Sequence, residues 1–94
     1  MGRRSLFITQ PARANLNSAI ARSERLWGVE QARLYQSAIE GAFQRLIDHP
    51  ELGAARDDIG PGLRVLNVRH HRVVYRFTDQ RVIIVRVLHE RMDL

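Results

Sequence analysis

The sequence predicts an α+β domain in the order β-α-α-β-β-β, with a helical hairpin packed on a mainly antiparallel four-stranded sheet. Apolar residues recur at three-and-four spacing through residues 10–48, which indicates two helices. β-Branched residues with a period near two fill residues 63–89 and indicate three strands. A short apolar run from Arg4 to Thr9 predicts one more strand. Residues 1–94 are too few for a second independent core and are expected to form a single domain.

The first helix is expected to begin near residue 10. Thr9 is a good N-cap, and Pro11 lacks an N–H that would have no partner in the first turn. Gly28 interrupts the helical pattern and predicts a turn between two helices. Trp27, just before it, is predicted to pack beneath this turn. The predicted apolar stripe consists of Ala12, Leu16, Ala19, Ile20 and Trp27.

The second helix restarts at Val29 with a carboxylate, Glu30, in its first turn. It is expected to end near Asp48, because Pro50 disfavours helical geometry in the residue before it. Two prolines and three glycines between residues 50 and 62 predict a connecting loop. The stripe predicted to be buried comprises Ala32, Tyr35, Ile39, Ala42, Phe43, Leu46 and Ile47.

Three strands are predicted after this loop: Leu63 to Arg69, Arg72 to Thr78 and Arg81 to His89. The breaks at His70-His71 and Asp79-Gln80 are short enough for hairpins, so the three strands should form an antiparallel meander. Valine and isoleucine fill the last strand almost continuously, which predicts an interior position in the sheet.

The charged residues are unusual, because all fifteen basic residues are arginine and stand against ten acidic ones, for a formal charge of +5. A GC-rich coding sequence and a solvated surface would explain this composition. An arginine-rich face also suits an acidic protein or a nucleic acid, and charge alone does not choose between them. The absence of cysteine excludes disulfides, thiolate metal sites and a cysteine nucleophile.

No apolar stretch approaches the roughly 20 residues that span a bilayer, and the N-terminal apolar run is too short for a signal peptide. A cytoplasmic location without membrane contact is therefore expected. No glycine-rich phosphate loop, catalytic triad or arginine-interleaved aromatic platform is present, so neither a cofactor nor direct nucleic-acid binding is expected. His70 and His71 are adjacent and suit a hairpin turn better than a shared metal, and no metal site is predicted.

Six segments stand in an order and spacing that cover almost the whole chain: Thr9 to Leu16, Trp27 to Tyr35, His49 to Gly53, Ile59 to Arg64, His71 to Arg76 and Val85 to Asp93. Together these segments resemble the ParE branch of the RelE/ParE toxin family. The residues given structural roles are Trp27, Gly28, Tyr35, Pro50, Gly53 and Tyr75. Asn15 departs from the family pattern, since relatives often carry an acid there.

The resemblance implies a toxin that a cognate ParD-like antitoxin neutralises in a heteromeric complex, and it implies inhibition of DNA gyrase by binding. The basic sheet and a groove beside the helical hairpin are expected to receive the antitoxin, whose C-terminal segment is often acidic in the family. The arginines expected to bind it are Arg64, Arg69, Arg72, Arg76 and Arg86. The residues expected to bind the target are Arg86, His89, Glu90, Arg91, Met92 and Asp93.

Two other functions stay open. The RelE branch implies ribosome-dependent cleavage of mRNA, for which His89, Arg86 and Arg64 would be the catalytic residues; the absence of lysine departs from how those relatives build the site. His89 is equally well interpreted as a strand terminus whose imidazole bonds to the backbone. The third function is that of a degenerate toxin retaining only antitoxin binding.

Overall fold

The computed structural model describes residues 3–91 and contains two helices packed on a five-stranded sheet within that span. The helices are α1 (Gln10–Trp27) and α2 (Val29–Asp48). The strands are β1 (Ser5–Ile8), β2 (Ala54–Ala55), β3 (Arg64–Val68), β4 (His71–Phe77) and β5 (Arg81–His89). The predicted α+β class is confirmed, and β5 has the bounds that the sequence predicts.

The sheet has the order β1-β5-β4-β3-β2, so β5 is paired on both sides as predicted. β1 runs parallel to β5, and the other pairs are antiparallel. The predicted four strands are one too few, because Ala54 and Ala55 of the connecting loop pair with β3 as a short edge strand. Two alanines between turn residues carry no strand pattern, so only the tertiary contact reveals this pairing. The turn between β3 and β4 is Arg69-His70, and His71 already belongs to β4.

A single hydroxyl joins the start of α1 to the sheet. The Oγ1 of Thr9 accepts a hydrogen bond from the backbone N of Ala12 at 3.2 Å, which caps the helix. The same hydroxyl donates to the carbonyl oxygen of Val85 in β5 at 2.9 Å. Thr9 therefore sets both the first residue of α1 and its position against β5.

The hydrophobic core lies between α2 and the inner face of the sheet. All seven residues of the predicted α2 stripe are buried, which confirms the helical periodicity. They pack against alternate residues of the central strands, and the largest fully buried side chains are Tyr75, Leu46, Ile84, Val73 and Val82. α1 contributes less, because Ala12 is its only fully buried residue and Leu16, Ala19 and Ile20 are half-buried.

The prediction that Trp27 packs beneath the hairpin turn is wrong, since 70% of this residue is exposed. Every residue from 24 to 31 is exposed, so the tip of the hairpin projects beyond the core. The spacing of Trp27 continues the apolar stripe, but nothing lies beneath that end of α1. Gly28 has a φ of 90° and makes the turn in a conformation that side chains rarely adopt, as its position predicts.

The loop between α2 and β3 is fastened by the buried Tyr75. Its hydroxyl donates to the carbonyl oxygen of Pro50 at 2.6 Å and accepts from the backbone N of Gly53 at 2.8 Å. A Cβ on Gly53 would lie 2.7 Å from the Tyr75 ring, so only glycine fits there. These contacts bring β2 to the edge of β3.

Replacing Tyr75 by phenylalanine is expected to lower the free energy of unfolding by about 2 kcal/mol, because two buried backbone groups lose their partner. Urea denaturation measures the change. Tyr35→Phe is the matched control: the Tyr35 hydroxyl is buried without a hydrogen-bond partner in the described structure, so its removal should leave stability unchanged or slightly higher. Equal losses in the two variants would contradict the role given to the Tyr75 hydroxyl.

Candidate functional site

The sheet face turned away from the helices carries a group of arginines. In β4, Val73 and Tyr75 are buried against the helices, so Arg72 and Arg76 point to the opposite side. Arg86 of β5 lies on that side too, because it pairs with Val74, which stands between Val73 and Tyr75 in β4 and faces away from the helices. We call Arg72, Arg76 and Arg86 the arginine face.

A β-bulge decides the direction of Arg86. The pairing of β4 with β5 shifts between Val74 and Tyr75, so that Val74 faces Arg86 and Tyr75 faces Ile84. Val85 is thereby left without a direct partner. With strict alternation from the buried Ile84, Arg86 would point into the core; the extra residue turns it outward.

The arginine face is positively charged without compensation within the sheet. The five strands of the described chain contain five arginines and no aspartate or glutamate. Within residues 3–91, Arg72 and Arg76 form no ion pair, while Val74 and Ile83 are buried on the same side of the sheet. Arginines that surround the apolar side chains of Val74 and Ile83, which we call the apolar floor, suit a ligand that presents carboxylates or phosphates.

Arg64 and Arg69, also predicted to bind the antitoxin, do not belong to this face. The Arg64 guanidinium donates to the carbonyl oxygens of Gly53 and Glu51 at 2.9 and 3.2 Å. The Arg64 guanidinium is therefore bound to the same loop that the Tyr75 hydroxyl holds. Arg69 lies in the β3–β4 turn with a φ of 55°, an uncommon conformation for a residue with a side chain.

Asn15 of α1 contacts the arginine face, although in the sequence it stands out only as a departure from the family pattern. Its Oδ1 accepts from the Nε of Arg86 at 3.0 Å and from the backbone N of Val87 at 3.1 Å. β1 pairs with β5 only as far as Ile84, so the backbone N–H of Val87 has no partner in β1. Asn15 accepts the hydrogen bond from this N–H instead. The amide thus closes the sheet edge and orients one arginine of the arginine face.

A second surface is a groove of about 760 Å³ between the tip of the helical hairpin and the β3–β4 turn. We call it the hairpin groove. Its apolar part includes Leu26 and the exposed Trp27, and three of the four histidines of the chain also line it. The lining residues are Ala19, Arg22, Ser23, Leu26, Trp27, Gln31, Tyr35, Arg69, His70, His71, His89 and Arg91.

The histidines of the hairpin groove contact one another and Tyr35. His71 and His89 are paired across β4 and β5, and their ring centres are 5.4 Å apart with the rings nearly perpendicular. The ring centre of Tyr35 is 4.9 Å from that of His71. His70 lies nearer solvent, with its Nδ1 3.2 Å from the Oε1 of Glu90.

Burial lowers the pKa of His71, and the neighbouring His89 and His70 lower it further, whereas the Glu90 carboxylate raises it. Burial also raises the pKa of Tyr35 to about 12. Both groups are therefore neutral at pH 7. The Tyr35 hydroxyl and the Nδ1 of His71 are buried without hydrogen-bond partners in the described structure.

The structure does not bring together the three residues that a RelE-like reaction would use. His89 points toward the helices, and its Nδ1 accepts from the backbone N of Arg91 at 3.2 Å, the backbone contact that one interpretation predicts. Arg86 lies on the opposite side of the sheet. Arg64 pairs with Tyr75, four residues along β4 from the partner of His89, or about 13 Å.

The predicted target-binding residues are partly described. Glu90 and Arg91 follow β5 and are exposed, and Arg91 lines the hairpin groove, whereas Met92 and Asp93 lie outside the described residues. Among residues 3–91 there is no group of three or more histidine or acidic side chains that could hold a metal ion. No helix in that span is long and apolar enough to cross a bilayer.

The comparisons with known proteins agree with this architecture. Residues 6–94 match the family model described as the ParE toxin of the type II toxin-antitoxin system parDE. Toxin ParE1 of Mycobacterium tuberculosis is 44% identical over 69 residues, which cover 72% of this chain and 70% of that protein. Toxin ParE of Escherichia coli is 32% identical over 88 residues, which cover 93% of this chain and 85% of that protein.

Solved structures have the same fold. A chain of the chromosomal ParDE system from P. aeruginosa superposes with a TM-score of 0.78 at 25% identity, covering 93% of this chain and 96% of its own length. A chain of the RelBE2 toxin-antitoxin complex from Mycobacterium tuberculosis superposes with a TM-score of 0.70 at 23% identity, covering 94% of this chain and 99% of its own length. The second likeness bears on the fold alone.

Fold and surfaces together define a small α+β protein with an arginine face on one side of the sheet and a groove beside its helical hairpin. The chain belongs to the ParE toxin family and is the toxin component of a type II toxin-antitoxin system. The predicted resemblance to the ParE branch is thereby confirmed.

Replacing Asn15 by aspartate is expected to raise the free energy of unfolding by about 0.5–1 kcal/mol at pH 7 and low salt, because the hydrogen bond to Arg86 becomes charge-assisted. The arginine should depress the new carboxyl pKa, so the gain should be lost as the pH falls through that value. Thermal unfolding at pH 7 and at pH 3 tests both points. Asn17→Asp, on the exposed side of α1, is the control, and an equal gain there would contradict a specific contact.

Proposed function

We propose that a cognate ParD-like antitoxin neutralises this toxin in a heteromeric complex, and that the free toxin inhibits DNA gyrase by binding to it. The observation that carries the proposal is the arginine face, whose three arginines point outward from a sheet whose described strands contain no carboxylate. The family and the relatives named ParE support the same assignment. The solved structure at 25% identity that shares the fold belongs to a chromosomal ParDE toxin-antitoxin system.

The arginine face favours an acidic protein segment as its ligand. Guanidinium groups bind carboxylates bidentately, and their aliphatic stems cover the apolar floor that Val74 and Ile83 provide. Tyr75 and Phe77, the aromatic residues of β4, pack on the helix side of the sheet and cannot stack bases beside these arginines, which argues against a single-stranded nucleic acid. An acidic C-terminal segment of the antitoxin fits these requirements, and the hairpin groove offers it a second contact.

Inhibition by binding is favoured over catalysis because the candidate catalytic groups are separated and occupied. Arg64 is hydrogen-bonded to two carbonyl oxygens, and the Nδ1 of His89 is bonded to the backbone. We propose that the target contacts the segment from Arg86 to Asp93, in which Arg86 belongs to the arginine face while His89 and Arg91 line the hairpin groove on the other side of the sheet.

Purified toxin is expected to inhibit the supercoiling of relaxed plasmid by DNA gyrase, and an equimolar amount of antitoxin should restore the reaction. A supercoiling assay measures both effects, with heat-denatured toxin as the control. Full supercoiling at saturating toxin would overturn the target. Primer extension on transcripts after induction then tests the RelE-like reaction. Codon-linked cuts that His89→Ala abolishes would show that the toxin acts as a ribonuclease and not as an inhibitor of gyrase.

The double variant Arg72→Gln/Arg76→Gln is expected to weaken antitoxin binding about tenfold and to reduce its dependence on salt, because two charged contacts are lost. Titration calorimetry at two salt concentrations measures the change. Arg33→Gln/Arg45→Gln removes the same charge from exposed positions of α2 and serves as the matched control. Equal weakening by both variants would indicate general charge attraction instead of a defined arginine face.

A further inference from the structure

The apolar part of the hairpin groove is suited to one large apolar side chain. Leu26 and Trp27 form part of its wall and are 57% and 70% exposed, which is unusual for such large apolar residues side by side. Tyr35 and Ala19 continue this wall toward the core. Exposed tryptophan beside a concave surface is typical of residues that dominate the energy of protein interfaces.

The charges around the hairpin groove select an acidic occupant. Its lining contains Arg22, Arg69 and Arg91, which form no ion pairs among residues 3–91. The neighbouring carboxylate of Glu90 is already 3.2 Å from His70. A peptide segment that carries its own carboxylates would therefore be complementary to the rim, whereas a basic or uncharged segment would leave the arginines without partners.

Two polar groups at the base of the groove, the Tyr35 hydroxyl and the Nδ1 of His71, have no hydrogen-bond partner within the described residues. The Tyr35 hydroxyl belongs to a residue that is only 8% exposed, and the Nδ1 of His71 is buried beside it; both lack hydrogen-bond partners in the described structure. Buried groups of this kind are normally hydrogen-bonded, so a ligand that opens the base of the groove would supply contacts that the free protein lacks. The titratable or charged groups around His71 are Tyr35 of α2, Arg22 of α1, Arg69 and His70 of the turn, His89 of β5, and Glu90 and Arg91 after it.

We propose that the hairpin groove holds an acidic stretch of the antitoxin, anchored by one large apolar side chain against Trp27, and that this binding takes up a proton on His71. The inference rests on the proposed function for the identity of the partner. It adds an apolar anchor at Trp27 and a dependence of affinity on pH.

The direction of this dependence follows from the surroundings of His71. In the free protein, burial and the two neighbouring imidazoles disfavour its protonated form. Carboxylates of the bound segment would favour that form, so the complex binds more protons than the separate proteins and affinity rises as the pH falls from 8 to 6. A pKa difference of one unit between free and bound imidazole corresponds to about a tenfold change in affinity. The arginine face has no imidazole and would give no such dependence.

Titration calorimetry of the full-length toxin with its antitoxin, at pH 6 and pH 8 in buffers of different ionisation enthalpy, tests the proposal. Affinity should be about tenfold higher at pH 6, with net proton uptake on binding. His71→Gln/His89→Gln should remove both the pH dependence and the uptake. His49→Gln changes the one histidine outside the groove and should retain them.

A second pair of variants tests the apolar anchor. Trp27→Ala should weaken binding about 30-fold, the loss typical of a dominant interface residue. Leu52→Ala removes another exposed apolar side chain, 49% exposed and located in the loop outside the groove, and should change binding little. If the histidine double variant does not fold, NMR titration of wild-type imidazoles replaces it, and the pKa of His71 should rise when the antitoxin binds.

Antitoxin binding with the same affinity at both pH values, without proton uptake and unaffected by Trp27→Ala, would overturn the groove assignment and leave the toxin-antitoxin partnership standing. Absence of any binding would overturn both proposals.

Discussion

The burial of one face of the sheet beneath α2 is the constraint on which the rest of this structure depends. Because strand side chains alternate, placing Val73 and Tyr75 in the core sends Arg72 and Arg76 to the other side. The same packing that stabilises the fold therefore creates the arginine face. Thr9 supports this arrangement by joining the first turn of α1 to β5.

The two proposed binding surfaces differ in their physics. The arginine face presents permanent charges over an apolar floor, so its interactions respond to salt. The hairpin groove combines an exposed indole with a cluster of three histidines, so the proposed interactions there respond to pH as well. A partner that contacts both surfaces has to pass around an edge of the sheet, which suits an extended segment better than a compact domain.

Much of the fold was predictable because local patterns and tertiary packing agree. The α2 stripe, the Thr9 cap and the bounds of β5 follow from periodicity and capping chemistry within a few residues of each site. The short strand Ala54–Ala55 was not predictable, because its pairing with β3 depends on the contacts of Tyr75 with the loop. The candidate sites were predicted less well, since Arg64 serves the loop and Trp27 is exposed.

By itself the sequence determined the class of fold, the family and the excess of arginine, since these reside in periodicity, motif order and composition. Only the tertiary structure decided where the arginines and histidines point. A single unpaired residue, Val85, turns Arg86 outward, and the register of β4 with β5 places His71 against His89. Such choices depend on strand register and on the lengths of neighbouring elements, which are properties of contacts between segments far apart in the chain.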